Sequence, residues 1–226
     1  MALQIIDGNI FTTTSQTIVN PINCVGIMGA GLALEFRLRY PRMYLKYVEL
    51  CKDEKMQPGL LWIFKSQDKW ILNFPTKKHW KFPSKVEYLK SGLEKFVATF
   101  QSKNITSAAF PLLGADKGGI DPEFSLELMK RYLEPLEIPI DIYKYNPVAK
   151  DDLFDKTKDW LQSNEINVLV DETGIRPQYL RIVLEALEND SIYQLNQLAQ
   201  FKGIGINTLE KIYVASSITI DQKQLF

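Results

Sequence analysis

The chain has one histidine, two cysteines and no excess of either charge sign. Each shortage excludes something. His79 alone cannot build a histidine-rich metal site, and no Cys/His set has zinc-ligand spacing. Cys24 and Cys51 are too few for a disulfide framework. Lys plus Arg equals Asp plus Glu at 27 each, so any contact with nucleic acid must come from a local patch. No long apolar run is present, and the first residues lack a basic-then-apolar leader. The expectation is a soluble, cytoplasmic protein with no membrane partner, no metal and no cofactor.

What the chain does have is organised around Ile18 to Phe36, IVNPINCVGIMGAGLALEF. A short apolar strand runs into Asn20-Pro21-Ile22-Asn23. A loop of small residues follows, with Gly26, Gly29, Ala30 and Gly31, and a helix opens at Leu32. Glycines let a main chain approach a ligand closely, and the unpaired N–H groups of a helix start attract an anion. The spacing matches neither the dinucleotide-binding nor the P-loop pattern. Two readings stay open here: a phosphate cradle, or a tight turn between strand and helix.

The rest of the chain alternates. Leu3–Ile6, Leu60–Phe64, Trp70–Phe74, Ile105–Phe110 and Ile138–Tyr145 read as strands, the second and third forming a hairpin. Met43–Cys51 reads as a helix. Another starts at Ser84, where Ser84 and Glu87 have capping-box spacing and Val86, Leu89, Leu93, Val97 and Phe100 recur at helical period. A second glycine loop, Gly114 to Gly119, precedes a helix with Asp121 as cap and Pro122 in its first turn. This order predicts a three-layer α/β domain over residues 1–147, with a ligand cleft at the carboxyl ends of its strands. Residues 148–226 read as a small, mainly helical domain: helices over 151–163, 177–187, 191–200 and 207–215, with Ile166–Val170 a strand or extended link.

Three constellations carry possible chemistry. The two glycine loops can grip a diphosphate from both sides, with Asn20 and Asn23 offered to a ribose or serving as turn caps. Asn73 to Ser84 holds Lys77, Lys78, His79, Trp80, Lys81 and Phe82, cations interleaved with rings, which suits a nucleic acid or is simply a solvated loop. Residues 191–215 read as a tight helical hairpin, or as a helix-hairpin-helix element. In the second case Lys202, Gly203, Gly205, Asn207 and Thr208 meet a DNA phosphate.

Four stretches together resemble a known family. They are Gly8-Asn9-Ile10; Val19 to Asn23 with Gly26-Ile27-Met28-Gly29-Ala30-Gly31-Leu32-Ala33; Asn73 to Trp80; and Phe110 to Gly114 with Gly118 to Asp121. They resemble the macrodomains, which bind ADP-ribose. Within that family they look most like the DarG branch of DNA ADP-ribosyl glycohydrolase antitoxins and the related terminal ADP-ribose protein glycohydrolases. The resemblance implies a three-layer α/β/α macrodomain with a mixed sheet, followed by the helical domain.

It also implies roles. Lys77 matches the branch's catalytic lysine, with Asn23 near the scissile bond and Asp116 a candidate partner. Asn9, Ile10, Asn20, Asn23, Gly26 to Leu32, Thr76, Leu113, Gly114, Ala115, Lys117, Gly118, Gly119 and Ile120 would line the ADP-ribose site. A lysine amine that loses its proton can attack an anomeric carbon or an opened sugar aldehyde, and Lys78 and Lys81 are expected to help lower its pKa. A charged Lys77 that only steadies the leaving group is the alternative. Lys78, His79, Trp80 and Lys81 are candidate DNA contacts. The implied partners are ADP-ribose, ADP-ribosylated DNA and a DarT-like toxin.

Two departures bear on this. Many macrodomains have Gly-Asp where this chain has Gly8-Asn9, which weakens the expected grip on the adenine amino group. The protein-directed relatives use a second-loop aspartate; here Asp116 and Asp121 lie nearest, out of register, which favours the DNA-directed reading. A reader of ADP-ribose without turnover, and a hydrolase of ADP-ribose on protein carboxylates, remain the competing functions.

Overall fold

The computed structural model describes residues 3–223, with side chains as far as Ser216. The chain divides into two compact units, Met1–Tyr145 and Asn146–Phe226.

The first unit is built on a six-stranded sheet. Its strands are β1 (Leu3–Gly8), β2 (Thr17–Ile22), β3 (Trp62–Lys65), β4 (Trp70–Pro75), β5 (Ala108–Pro111) and β6 (Ile140–Tyr145), in spatial order β1-β6-β5-β2-β4-β3. All neighbours run parallel except β3 against β4. Parallel interior strands are covered on both faces, so they read as continuous apolar runs rather than alternating ones. The period of two then sorts their side chains. Val19, Leu72 and Phe110 join a core with α3 (Val86–Thr99) and α4 (Pro122–Leu133), while Ile18, Ile71 and Ala109 join one with α1 (Gly31–Arg39) and α2 (Pro41–Lys52). This is the expected three-layer arrangement with a mixed sheet.

Two contacts fix how these layers sit. In α3, Leu89, Gly92, Leu93 and Phe96 share the buried face at helical spacing. Gly92 is required there, because a Cβ on it would come within 2.2 Å of the Phe74 ring. In the sheet, Asn20 and Asn73 stand opposite each other on β2 and β4. Asn20 Nδ2 donates to Asn73 Oδ1 at 2.9 Å, with both residues wholly buried.

Since β1, β6, β5, β2 and β4 are parallel, their carboxyl ends share one edge. Asn9, the loop after Ile22, the loop after Pro75 and the loop after Pro111 all leave the sheet there. Open α/β sheets bind ligands at such an edge.

The second unit holds α5 (Phe154–Ser163), α6 (Ile166–Thr173), α7 (Pro177–Leu187), a 3₁₀ turn at Leu195–Gln200 and α8 (Ile206–Lys223). Leu161, Leu169, Leu180, Val183, Leu187, Leu195, Leu198, Leu209 and Ile212 form its buried interior. Asp151 Oδ2 accepts from Leu195 N at 2.7 Å, which ties the start of the unit to its 3₁₀ turn.

Several expectations are corrected. Ile166–Val170 is not a strand or link but the body of α6: Gly174 stops it in a left-handed conformation and Pro177 opens α7. Its β-branched composition suggested a strand, yet Leu169 and Thr173 are its buried pair, four residues apart as a helix face requires. Ser84 does not cap α3; the helix starts at Val86 with Lys85 in the cap position and no side-chain cap bond. Ser84 is buried instead, and its N–H donates to the Gly118 carbonyl at 2.9 Å. The segment 191–200 is helical only as the short 3₁₀ turn, with Gln194 and Gln197 forming a reciprocal capping box.

Candidate active site

The first glycine loop is held by Asn23, the residue just after β2. Asn23 Oδ1 accepts from Val25 N at 3.0 Å and Ile27 N at 3.4 Å, and Asn23 Nδ2 donates to the Ile27 carbonyl at 2.5 Å. Tyr47 on α2 donates its hydroxyl to both Asn23 oxygens, at 2.9 and 3.0 Å. Asn23 therefore works as the keystone of this turn. The sequence reading of Met43–Cys51 as a helix does not single out Tyr47, although an aromatic with a hydroxyl in such a helix is the available signal. Gly26 and Gly31 adopt φ of 79° and 56°, left-handed values that favour glycine. Val25 and Ile27 are exposed along the loop, whereas Met28 is buried. The loop ends at Ala30, the cap of α1, and that cap makes no side-chain bond. The first N–H groups of α1, from Gly31 to Ala33, have no acceptor within the helix. Asn20 lies beneath this loop and exposes no surface.

The second loop bends just as tightly. Ile120 N donates to the Gly114 carbonyl and Gly118 N to the Ala115 carbonyl, both at 2.9 Å. Leu113 is fully buried under it. Asp116, with φ of 47°, is a non-glycine residue in the left-handed region. Asp121 caps α4 by accepting from Phe124 N at 2.8 Å, as expected, and so is not free for chemistry. The two loops face each other closely: a Cβ at Gly31 would lie 3.8 Å from Asp116 Oδ2 and 3.9 Å from Lys117 Cγ.

Lys77 leaves the sheet at the end of β4, between these loops. The pairing of β2 with β4 runs on past the sheet: Thr76 N donates to the Ile22 carbonyl at 2.9 Å, and Cys24 N to the Lys78 carbonyl at 3.2 Å. Lys77 Nζ donates to the main-chain carbonyl of Lys117. Its pKa is lowered chiefly by burial, and the Asp116 carboxylate pulls the other way. The expectation that Lys78 and Lys81 lower it is therefore replaced by desolvation as the cause. Ser84 also belongs here. Its Oγ has no partner among the described residues, and a Cβ at Gly118 would fall 2.7 Å from it. Ser84 thus packs under the second loop, a role hidden by its cap-like sequence setting.

At the end of β1, Asn9 is buried and caps a single 3₁₀ turn, with Oδ1 accepting from Phe11 N at 3.0 Å. Its Nδ2 has no partner among the described residues. Ile10 beside it is buried. Cys24 offers no alternative nucleophile, since burial pushes its thiol pKa up to about 12. Among the described residues no group of three or more His, Cys, Asp or Glu side chains could hold a metal ion.

In the second unit Lys202, Gly203, Gly205 and Asn207 are exposed and Thr208 is half-buried. Gly203 turns with φ of 96° against Ile182, and Thr208 and Leu209 N–H groups return to the Gly205 carbonyl. Lys211 is committed elsewhere, donating to the Gly174 carbonyl at 2.5 Å as the C-terminal partner of α6.

A six-stranded mixed sheet with two glycine loops facing each other at its carboxyl edge defines a macrodomain. The family model for the Macro domain matches residues 19–129. The macrodomain of Mycobacterium tuberculosis DarG is 36% identical, with a TM-score of 0.60, over 62% of this chain and 96% of that one. The chain belongs to the macrodomain family, and its similarity within it is to DarG. The DNA ADP-ribosyl glycohydrolase of Thermus aquaticus is 36% identical over 65% of this chain and 41% of its own length. Thermosipho africanus DarTG, solved in complex with ADP-ribose, is 33% identical with a TM-score of 0.61 over 64% of this chain and 41% of that one. The same organism's DNA ADP-ribosyl transferase-DNA ADP-ribosyl glycohydrolase fusion protein is 32% identical over 62% and 41%. This chain spans about two fifths of the length of those curated relatives. Among the described residues no helix is long and apolar enough to cross a membrane.

Proposed function

We propose that the first unit is a DNA ADP-ribosyl glycohydrolase. It holds ADP-ribose between the two glycine loops and breaks the bond from its distal ribose to a DNA base. The observation that carries the reading is Lys77: an amine held between the two loops by the Lys117 carbonyl, with a pKa that burial lowers. The names of the relatives from Thermus aquaticus and Mycobacterium tuberculosis support the same reaction and substrate.

In this reading the first loop, from Gly26 to Leu32, meets the distal ribose and diphosphate with its main-chain N–H groups. Gly114, Ala115, Lys117, Gly118, Gly119 and Ile120 close from the other side, with Leu113 and Thr76 buried beneath as support. Asn9 and Ile10 meet the adenine end. Asn20 acts from below, through its bond to Asn73, and Asn23 shapes the loop against the ribose. The Lys77 Nζ lone pair bonds to the anomeric carbon while the carbon–base bond breaks, its electron pair going to the base nitrogen. The surplus proton on Nζ passes to that nitrogen. Water then adds at the same carbon and releases the lysine. Asp116 partly offsets the effect of burial on the amine rather than reacting.

The helical second unit is read as a weak DNA contact through Lys202, Gly203, Gly205, Asn207 and Thr208, its affinity falling with salt. A DarT-like transferase is the proposed partner, since the Thermosipho africanus relative joins both activities in one name. The site of action is the cytoplasm.

The test is release of ADP-ribose from a modified oligonucleotide by Lys77→Ala. Activity is expected to vanish while ADP-ribose still binds. An undiminished rate would sink the assignment. A glutamate-linked substrate run beside it separates this reaction from protein-directed hydrolysis, and binding with no product from either marks a reader.

A further inference from the structure

Two residues beyond Lys77, the loop makes a turn that the cleft itself does not need. Phe82 N donates to the His79 carbonyl at 3.2 Å, and Lys81 N donates to His79 Nδ1 at 3.2 Å. The turn therefore holds the His79 ring in place and brings three rings together. His79 and Trp80 stack at 5.8 Å and 24°, and His79 and Phe82 meet at 5.5 Å and 51°. Yet Trp80 is 49% exposed and Phe82 64% exposed. Both are spent on solvent, not on the core. Lys81 Nζ lies 5.3 Å from the Trp80 ring. From Thr76 to Lys85 the loop carries Lys77, Lys78, Lys81 and Lys85 and no carboxylate.

We propose that the turn His79–Phe82 is a stacking platform for the base that flanks the modified nucleotide, so that the site selects a strand over an isolated modified nucleoside. This rests on the DNA-directed reading above. Flat rings ringed by cations match a polynucleotide: bases stack on the exposed faces of Trp80 and Phe82, and phosphates meet Lys78 and Lys81. A protein partner with an apolar anchor would not call for four lysines without an acid. In a duplex both faces of each base are already covered by neighbours, so only an unpaired base can settle on these rings. The stem of the turn is pinned to the first glycine loop through Cys24 N and the Lys78 carbonyl. The platform and Lys77 therefore keep a constant separation, and a base stacked there sets how far the modified nucleotide reaches into the cleft.

The experiment uses the full chain with Trp80→Ala, Phe82→Ala and Trp80→Phe, each checked for an unaltered thermal melt. First, binding of an unmodified single-stranded oligonucleotide is measured by anisotropy, a readout independent of turnover. The alanine variants are expected to bind about tenfold or more weakly, with Trp80→Phe recovering most of the loss. Second, KM is compared for an ADP-ribosylated oligonucleotide and the matching ADP-ribosylated nucleoside. The wild type is expected to favour the oligonucleotide, and Trp80→Ala to collapse that ratio chiefly through a higher KM for the oligonucleotide. Equal oligonucleotide binding by wild type and both alanine variants overturns the platform. Absence of release from every substrate instead overturns the glycohydrolase reading, and leaves the binding comparison to decide the platform alone.

Discussion

Lys77 Nζ donates a hydrogen bond to the carbonyl of Lys117. Either protonation state of the amine can make that bond, but only the neutral one keeps a lone pair to spend. The bond therefore aims the amine without committing its charge.

From this follows a pH dependence. Burial lowers the Lys77 pKa below the ordinary lysine value, and the Asp116 carboxylate partly restores it. In the proposed mechanism the neutral amine reacts, so the release rate should climb with pH through that lowered pKa and level off above it. Asp116→Asn removes the opposing charge, so the midpoint should move to lower pH with the plateau kept. Single-turnover rates across the pH range measure this. A lost plateau would make Asp116 a reacting group instead.

The first loop depends on Tyr47. Removing its hydroxyl with Tyr47→Phe takes this buried donor from the Asn23 carbonyl and leaves Asn23 Oδ1 only the Val25 and Ile27 N–H groups. The expected cost is about 1–3 kcal/mol of stability, seen in denaturant melts. ADP-ribose affinity should drop as well, because the turn through Gly26 loosens, while kcat on bound substrate changes little.

Asn9 gives a test of the base end. Asn9→Asp keeps the cap on Phe11 N but replaces an unpartnered buried donor by an acceptor. A carboxylate buried without a counter-charge destabilises the empty protein, so its melting temperature should fall. If the adenine amino group meets this residue, ADP-ribose should then raise the melting temperature more than it does for the wild type. Thermal shift with and without ADP-ribose reads both effects.

Gly92→Ala should destabilise the first unit by about 1–3 kcal/mol, because its methyl meets the Phe74 ring. Phe74→Leu in the same chain should recover part of the loss, and that non-additivity distinguishes a steric clash from a change in helix propensity. Alanine is otherwise the better helix former, so an increase in stability would refute the packing argument.

The outlines of the fold and of both glycine loops were legible because they rest on local signals. Apolar runs, small-residue loops and the Asp121-Pro122 helix start each carry their own physics. What was hidden depended on partners distant in sequence. Ser84 and Glu87 have cap spacing, but the competing bond from Ser84 N to Gly118 lies across the fold. Lys78 and Lys81 are sequence neighbours of Lys77, so charge looked like the cause of its shift; the burial that causes it comes from the tertiary fold. The α6 segment misled through β-branched residues whose preference was overridden by packing on one face.

The pairing of Asn20 with Asn73 has one more consequence. A slip of β2 against β4 by one residue would strand two amides in the dry interior, so this pair is the datum from which the cleft is measured. Asn23 and Lys77 stand three and four residues downstream of it, just past the ends of these neighbouring strands. The offset between the first glycine loop and the proposed catalytic amine is thus dimensioned by a contact closed off from solvent.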